Sequence, residues 1–147
     1  MMRSKLPKNR YSSTFSSGNL FVTDTHALLW YLTDDERLGR KAESTYDRVD
    51  AGNAVIVIPT VVLAEAIFIT EKHRVDLEFI EILKVIEGSS NYITYPMDVA
   101  VVLKCHDLKA IPELHDRIIT ATAILLDAAL ITKDKKIVES QEVAVVW

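Results

Sequence analysis

The sequence predicts an α/β fold: a mainly parallel sheet of about five short strands, sandwiched between helices to give three layers. Three observations predict it. Short β-branched runs bounded by polar residues alternate with longer segments whose apolar positions recur every three or four residues. One run, residues 54–58, is apolar throughout, as a strand covered on both faces should be. Successive strand candidates are separated by enough chain for a helical crossover, which parallel neighbours require.

The elements follow in order. Leu20–Thr23 reads as a strand ending at Asp24, and Ala27, Leu28, Leu29, Tyr31 and Leu32 then make one short apolar helix. Residues 36–50 form a more polar helix. The apolar run 54–58 is expected at the centre of the sheet, stopped by Pro59 just before Thr60 can cap the next helix. Residues 61–72 and 77–87 have helical spacing, and Tyr92–Tyr95 reads as a strand. Asp98 is placed to cap a helix over residues 99–108, and Pro112 marks the next boundary. Residues 114–128 are helical in spacing, 129–132 make a short strand ending near Asp134, and 143–147 a final strand. Ligands of such sheets collect at the carboxyl ends of the strands, so function is sought there.

The chain has 147 residues, 49% apolar and 26% charged, enough for one domain with a real core. The longest stretch without a charged side chain, residues 51–64, is too short to span a bilayer, so no membrane segment is expected. A single cysteine, Cys105, excludes an internal disulfide and a thiolate zinc site, and the expected location is the cytoplasm. The net charge of −4 conceals a split. Residues 1–19 carry Arg3, Lys5, Lys8 and Arg10 and no acid, leaving 13 bases against 21 acids in residues 20–147. Residues 1–19 read as a flexible basic leader. A transit-like segment and an RNA-touching arm are alternatives for it. The body, at −8, is a poor general polyanion binder, so any nucleic-acid function must rest on local bases or on metal ions that reverse the charge of a site.

Four acids occupy places where such a site would form. Asp24 follows the first strand and Asp134 lies just past the fourth, so both belong to the rim of strand ends. Glu65 falls about a turn into the helix after the second strand, and Asp116 opens the long apolar helix; both can point to the same rim. Converging carboxylates would repel one another unless a cation stood between them. Oxygen donors without His or Cys suit Mg²⁺ or Mn²⁺, which keep several waters and accept phosphate oxygens, and this points to phosphate-ester chemistry. Each acid also has a plainer explanation. Asp24 could cap its helix, Asp116 could complement a helix N-terminus, and Asp134 could be a turn residue beside Lys133, Lys135 and Lys136. Glu65 is harder to explain away, since it interrupts the apolar series Val61, Val62, Leu63, Ala64, Ala66, Ile67 and Phe68. Burying it unpaired would cost several kcal/mol.

Taken together, the Asp24-Thr25-His26-Ala27-Leu28-Leu29-Trp30 segment, the Thr60-to-Glu65 segment, the run His115-Asp116-Arg117-Ile118-Ile119-Thr120-Ala121-Thr122-Ala123, and Leu130-Ile131-Thr132-Lys133-Asp134 resemble the PIN domain. The resemblance is closest to the VapC-type ribonuclease toxins of toxin–antitoxin pairs, and it covers about residues 20–147. It implies a PIN-like sandwich and a Mg²⁺- or Mn²⁺-dependent endoribonuclease in which Asp24, Glu65, Asp116 and Asp134 match the family's acidic quartet. It further implies metal ligation by Asp24 and Asp116, with Glu65 and Asp134 positioning waters or a second ion. Thr60 and Thr132 match supporting hydroxyl positions, and Thr25 is a further candidate. An RNA substrate, a cognate antitoxin and a homodimer are implied as partners. The leader lies outside the pattern.

His26 and His115 adjoin the proposed site and are candidates for phosphate contact or proton transfer, with helix-start packing as the competing role. Arg117 and the bases around Asp134, namely Lys133, Lys135 and Lys136, are candidates for substrate phosphates, or else charge-balancing partners. Trp30, Tyr31, Phe68, Ile69 and Trp147 suit core, dimer contact or antitoxin groove, with core as the default. Other functions fit less well. A haloacid-dehalogenase-type phosphatase needs a second acid where His26 stands, a receiver domain needs one at Pro59-Thr60, and the four glycines make no dinucleotide-binding loop. The rival of a different class is a non-cleaving PIN-fold module that binds RNA or protein.

Overall fold

In the computed structural model, which describes residues 17–147, five parallel strands form one sheet: β1 (Leu20–Thr23), β2 (Val55–Pro59), β3 (Tyr92–Tyr95), β4 (Ala129–Ile131) and β5 (Val145–Val146), in the order β3-β2-β1-β4-β5. Seven helices connect them: α1 (Thr25–Leu32), α2 (Arg40–Asp50), α3 (Thr60–Glu71), α4 (Phe79–Gly88), α5 (Val99–Asp107), α6 (Leu114–Leu125) and α7 (Lys135–Ser140). Every residue of β1 and β2 is buried. Successive strand residues point to opposite faces, so helices must cover the sheet on both sides. Each large aliphatic side chain so buried contributes about 1.5–3 kcal/mol.

The strand order decides where a site can form. From β1 the chain moves outward to β2 and β3, then returns across the sheet to place β4 on the other side of β1, paired Phe21 to Ala129, Val22 to Leu130 and Thr23 to Ile131. The order reverses between β1 and β4, and at such a switch point the connections leaving two neighbouring strands diverge and open a crevice at their carboxyl ends. The main-chain ladder continues to its edge, with Asp24 N–H donating to the Ile131 carbonyl at 3.1 Å and Thr132 N–H to that of Val146 at 3.2 Å. A tyrosine cluster braces the sheet's neighbourhood. Tyr46 of α2 is fully buried, bonds the Thr23 hydroxyl and stacks on Tyr31 at 4.4 Å, while Tyr31 and Tyr92 both donate to Asp50.

Several boundaries depart from the sequence expectations for identifiable reasons. The helix expected from residue 36 begins at Arg40, because Asp35 accepts from both the backbone and the guanidinium of Arg37 and holds a turn there. The strand 54–58 is interior but not central; β1 holds that place. Pro59 occupies the cap position of α3 and Thr60 is its first helical residue, not its cap. The helix expected through residue 128 ends at Leu125, where Asp127 turns the chain at a φ of 51°. Helix α7 was not expected, and the final strand is shortened to two residues. Of the leader, residues 1–16 lie outside the described residues; Ser17–Asn19 form a 3₁₀ turn that enters β1. Among the described residues no helix is long and apolar enough to cross a membrane.

Candidate active site

Asp24 is the first residue beyond β1, and its backbone is extended while the chain turns into α1. One carboxylate oxygen accepts from the Ala27 N–H at 2.8 Å, satisfying a helix-start donor and fixing the side chain. The Thr132 hydroxyl, wholly buried at the end of β4, donates to the same carboxylate and accepts from the Asp134 N–H at 3.1 Å. One threonine thus ties the two strand-end aspartates together. Asp134 repeats the arrangement of Asp24, capping α7 by accepting from the Ile137 N–H at 3.0 Å. The capping role open to Asp24 from sequence is real, and Asp134, where a turn residue is expected, takes such a role too. Both caps also aim the carboxylates, since a cap bond fixes a side chain that would otherwise rotate.

Glu65 and Asp116 complete a cavity of roughly 600 Å³ at the switch point, lined by all four expected acids. Each acid comes from a different connection: Asp24 after β1, Glu65 after β2, Asp116 on the way from β3 to β4, and Asp134 after β4. Glu65 Oε1 is buried without a hydrogen-bond partner among the described residues. An orphaned carboxylate oxygen normally costs 1–3 kcal/mol or more, so an external partner there is worth as much. Burial pushes the Asp24 carboxyl above its ordinary value, opposed by Thr132, Ala27 and His26 and reinforced by Glu65. Burial raises Asp116 to about 6, with added repulsion from Asp134, Glu113, Glu65 and Asp24. The four sites therefore share one negative field.

The rim supplies positive and polar groups. His26, His115, Lys133 and Thr25 line the cavity, and the Thr25 hydroxyl oxygen is buried without a partner among the described residues. Arg117 and Thr60 are not brought to it. The Arg117 Nε donates to the Ile111 carbonyl at 2.5 Å, bracing the turn before α6, and Thr60 is exposed at the start of α3. Four liners were not expected from sequence as site residues: Pro112, Glu113, Ile119 and Trp147. Glu113 stands three residues before Asp116, the spacing that puts side chains on one helix face, and this signal could have found it.

Among the described residues no group of three or more His, Cys, Asp or Glu side chains stands ready-made to enclose a metal ion. The donors present still fit a hard divalent cation. They are carboxylate oxygens only, one of them is orphaned, and burial together with repulsion from its acidic neighbours holds Asp116 at about 6. Mg²⁺ and Mn²⁺ tolerate few protein ligands because they retain water in the remaining positions. Asp24 and Asp116 would hold such an ion, and Glu65 and Asp134 would hold its waters.

A family model described as PIN domain matches residues 21–142 of the chain. No curated protein matches it by sequence. Among solved structures, similar folds include VapBC2 from Rickettsia felis bound to a DNA fragment from its promoter, at 18% identity and a TM-score of 0.64. A toxin–antitoxin complex from Klebsiella pneumoniae gives 20% and 0.59, and DNA-bound VapBC from Salmonella typhimurium 17% and 0.61. In all three, 86% of this chain is matched to 96% of the other. At these identities the likeness is one of fold.

Proposed function

The chain belongs to the PIN domain family, and on that premise we propose that it is a metal-dependent endoribonuclease and the toxin of a type II toxin–antitoxin pair. The observation that carries the reading is the meeting of Asp24, Glu65, Asp116 and Asp134, from four separate connections, in one cavity at the switch point of the sheet. A structural explanation would have to account separately for four carboxylates brought to one cavity, two of which, Asp24 and Asp116, are raised by burial and by the neighbouring charges.

Bound Mg²⁺ or Mn²⁺ supplies a Lewis acid that lowers the pKa of a coordinated water and offsets charge on the phosphate. The chain's own groups do the rest. Ala27 N–H and the Thr132 hydroxyl hold the Asp24 carboxylate in one orientation, so its oxygens need not reorganise when substrate arrives. Glu65, with an oxygen left unpaired, accepts a proton from the attacking water. Lys133, His26 and His115 at the rim donate to the flanking phosphates, a local counterweight to an acidic body.

The assembly is read in the same way. The Klebsiella structure is a toxin–antitoxin complex, and a cognate antitoxin is proposed for this chain in the cytoplasm. Apolar surface is available to it and to a second copy: Phe68 on α3 is 64% exposed, and Val99, Val102 and Leu103 on α5 are exposed at helical spacing.

The test is cleavage of RNA by the purified protein. Product should form with Mg²⁺ or Mn²⁺, stop with chelator, and fall by about 100-fold or more in Asp24→Asn. Asparagine retains the capping oxygen for Ala27, so the fold is kept and only the charge is removed. Undiminished cleavage in Asp24→Asn contradicts the assignment. RNA retained without product across a range of metals selects the non-cleaving binding module instead.

A further inference from the structure

Trp147 lies in a place that a packing residue does not require. It directly follows β5, whose pairing with β4 delivers it to the same sheet edge as Asp134. There it is only partly buried and lines the cavity of the four carboxylates. Its seat is built. Gly39 offers bare backbone, and a Cβ at that position would stand 2.6 Å from the Trp147 carbonyl carbon and 2.6 Å from its Cδ1, so no other residue lets the indole settle there. Trp30, buried beneath, meets the ring edge-on at a centroid distance of 5.9 Å and 68°. The Lys133 ammonium stands 4.6 Å from the Trp30 centroid and 5.9 Å from that of Trp147.

An aromatic ring fixed beside a cation, bordering a site for phosphate, has the recurring chemistry of single-strand recognition. Bases stack on the ring and the cation takes the neighbouring phosphate. We propose that Trp147 is the stacking platform for a nucleobase next to the phosphate held at the carboxylates. This rests on the ribonuclease reading. Because Gly39 and Trp30 already hold the ring, little side-chain freedom is lost on binding. A base within a duplex is stacked on both sides and cannot reach the platform without being unpaired. Trp147 is a specificity-determining residue, and Lys133 positions the backbone beside it.

The experiment measures binding of a labelled oligouridylate and of an abasic ribose-phosphate chain of equal length, with Mg²⁺, in the Asp24→Asn protein so that RNA survives. Oligouridylate should quench tryptophan fluorescence. Adding Trp147→Leu, which keeps apolar cover over Trp30, should abolish the quench and weaken oligouridylate binding about tenfold, within the range typical of one stacked base. Trp147→Phe should recover most of the affinity, and the abasic chain should bind all three proteins alike. Equal oligouridylate affinity in the Trp and Leu proteins, or an equal loss for the abasic chain, overturns the proposal and leaves a structural plug. Cleavage by the parent protein is scored separately. Base-dependent binding without cleavage removes the nuclease reading and keeps the platform; cleavage with no base-dependent loss does the reverse.

Discussion

Asp116 shows how a single side chain reports on its surroundings. Its carboxyl is raised to about 6 by burial first and then by four neighbouring acids. An acid whose folded-state pKa exceeds its unfolded value binds protons more tightly in the native state. Native protein therefore takes up protons that the unfolded chain releases between pH 3.8 and about 6, and this group's contribution to stability is lost as pH rises through that window. Asp24 is shifted the same way. In metal-free buffer Asp116→Asn should accordingly be more stable than the parent at pH 7, by about 1 kcal/mol once the shift is discounted for partial exposure. The gap should close towards pH 4. Urea unfolding of both proteins across that range measures it; a parent protein as stable as the variant at pH 7 contradicts the crowding of charge inferred here.

At the scale of elements, the carboxyl ends of β1 and β4 with helices α3 and α6 carry the four acids, and β1 and β2 were the part most open to reading in advance. Leu20–Thr23 and the run ending at Pro59 are continuous in β-branched and aliphatic residues, so strands, their burial and the acids at their ends follow from pattern alone. Helix α7 did not follow. It has six residues with one buried, Ile137, and one apolar contact makes no periodicity. The start of α2 was hidden because the Asp35–Arg37 turn depends on side-chain bonds, which hydrophobic spacing does not record. Trp147 has core as its default reading because a ring half in the core and half in a cavity has the same sequence signature as one wholly buried. Its seat yields a prediction for this scale: Gly39→Ala should cost about 1–3 kcal/mol in unfolding free energy, since the new methyl group must displace the end of the chain after β5. An unchanged denaturation midpoint contradicts that packing.

For the molecule as a whole, the fold and the charge pull in opposite directions. The sheet gathers acids from four connections at the one place where its strand order opens a crevice, within a body whose bases are outnumbered 13 to 21 over residues 20–147. Hydrophobic burial on both faces of the sheet holds that arrangement together, and the repulsion within it is what would give a divalent cation its affinity. The acid positions were legible from sequence because Asp24, Asp116 and Asp134 stand at or near element boundaries and Glu65 interrupts an apolar helix. Their convergence was not, because it depends on the reversal of strand order between β1 and β4, a property of topology that local pattern does not contain. Calorimetric titration of the purified protein with Mn²⁺ at pH 7 tests this most directly. The account predicts saturable binding that weakens by about tenfold or more in Asp116→Asn; Mn²⁺ binding of equal strength in both proteins, or none in either, would contradict it.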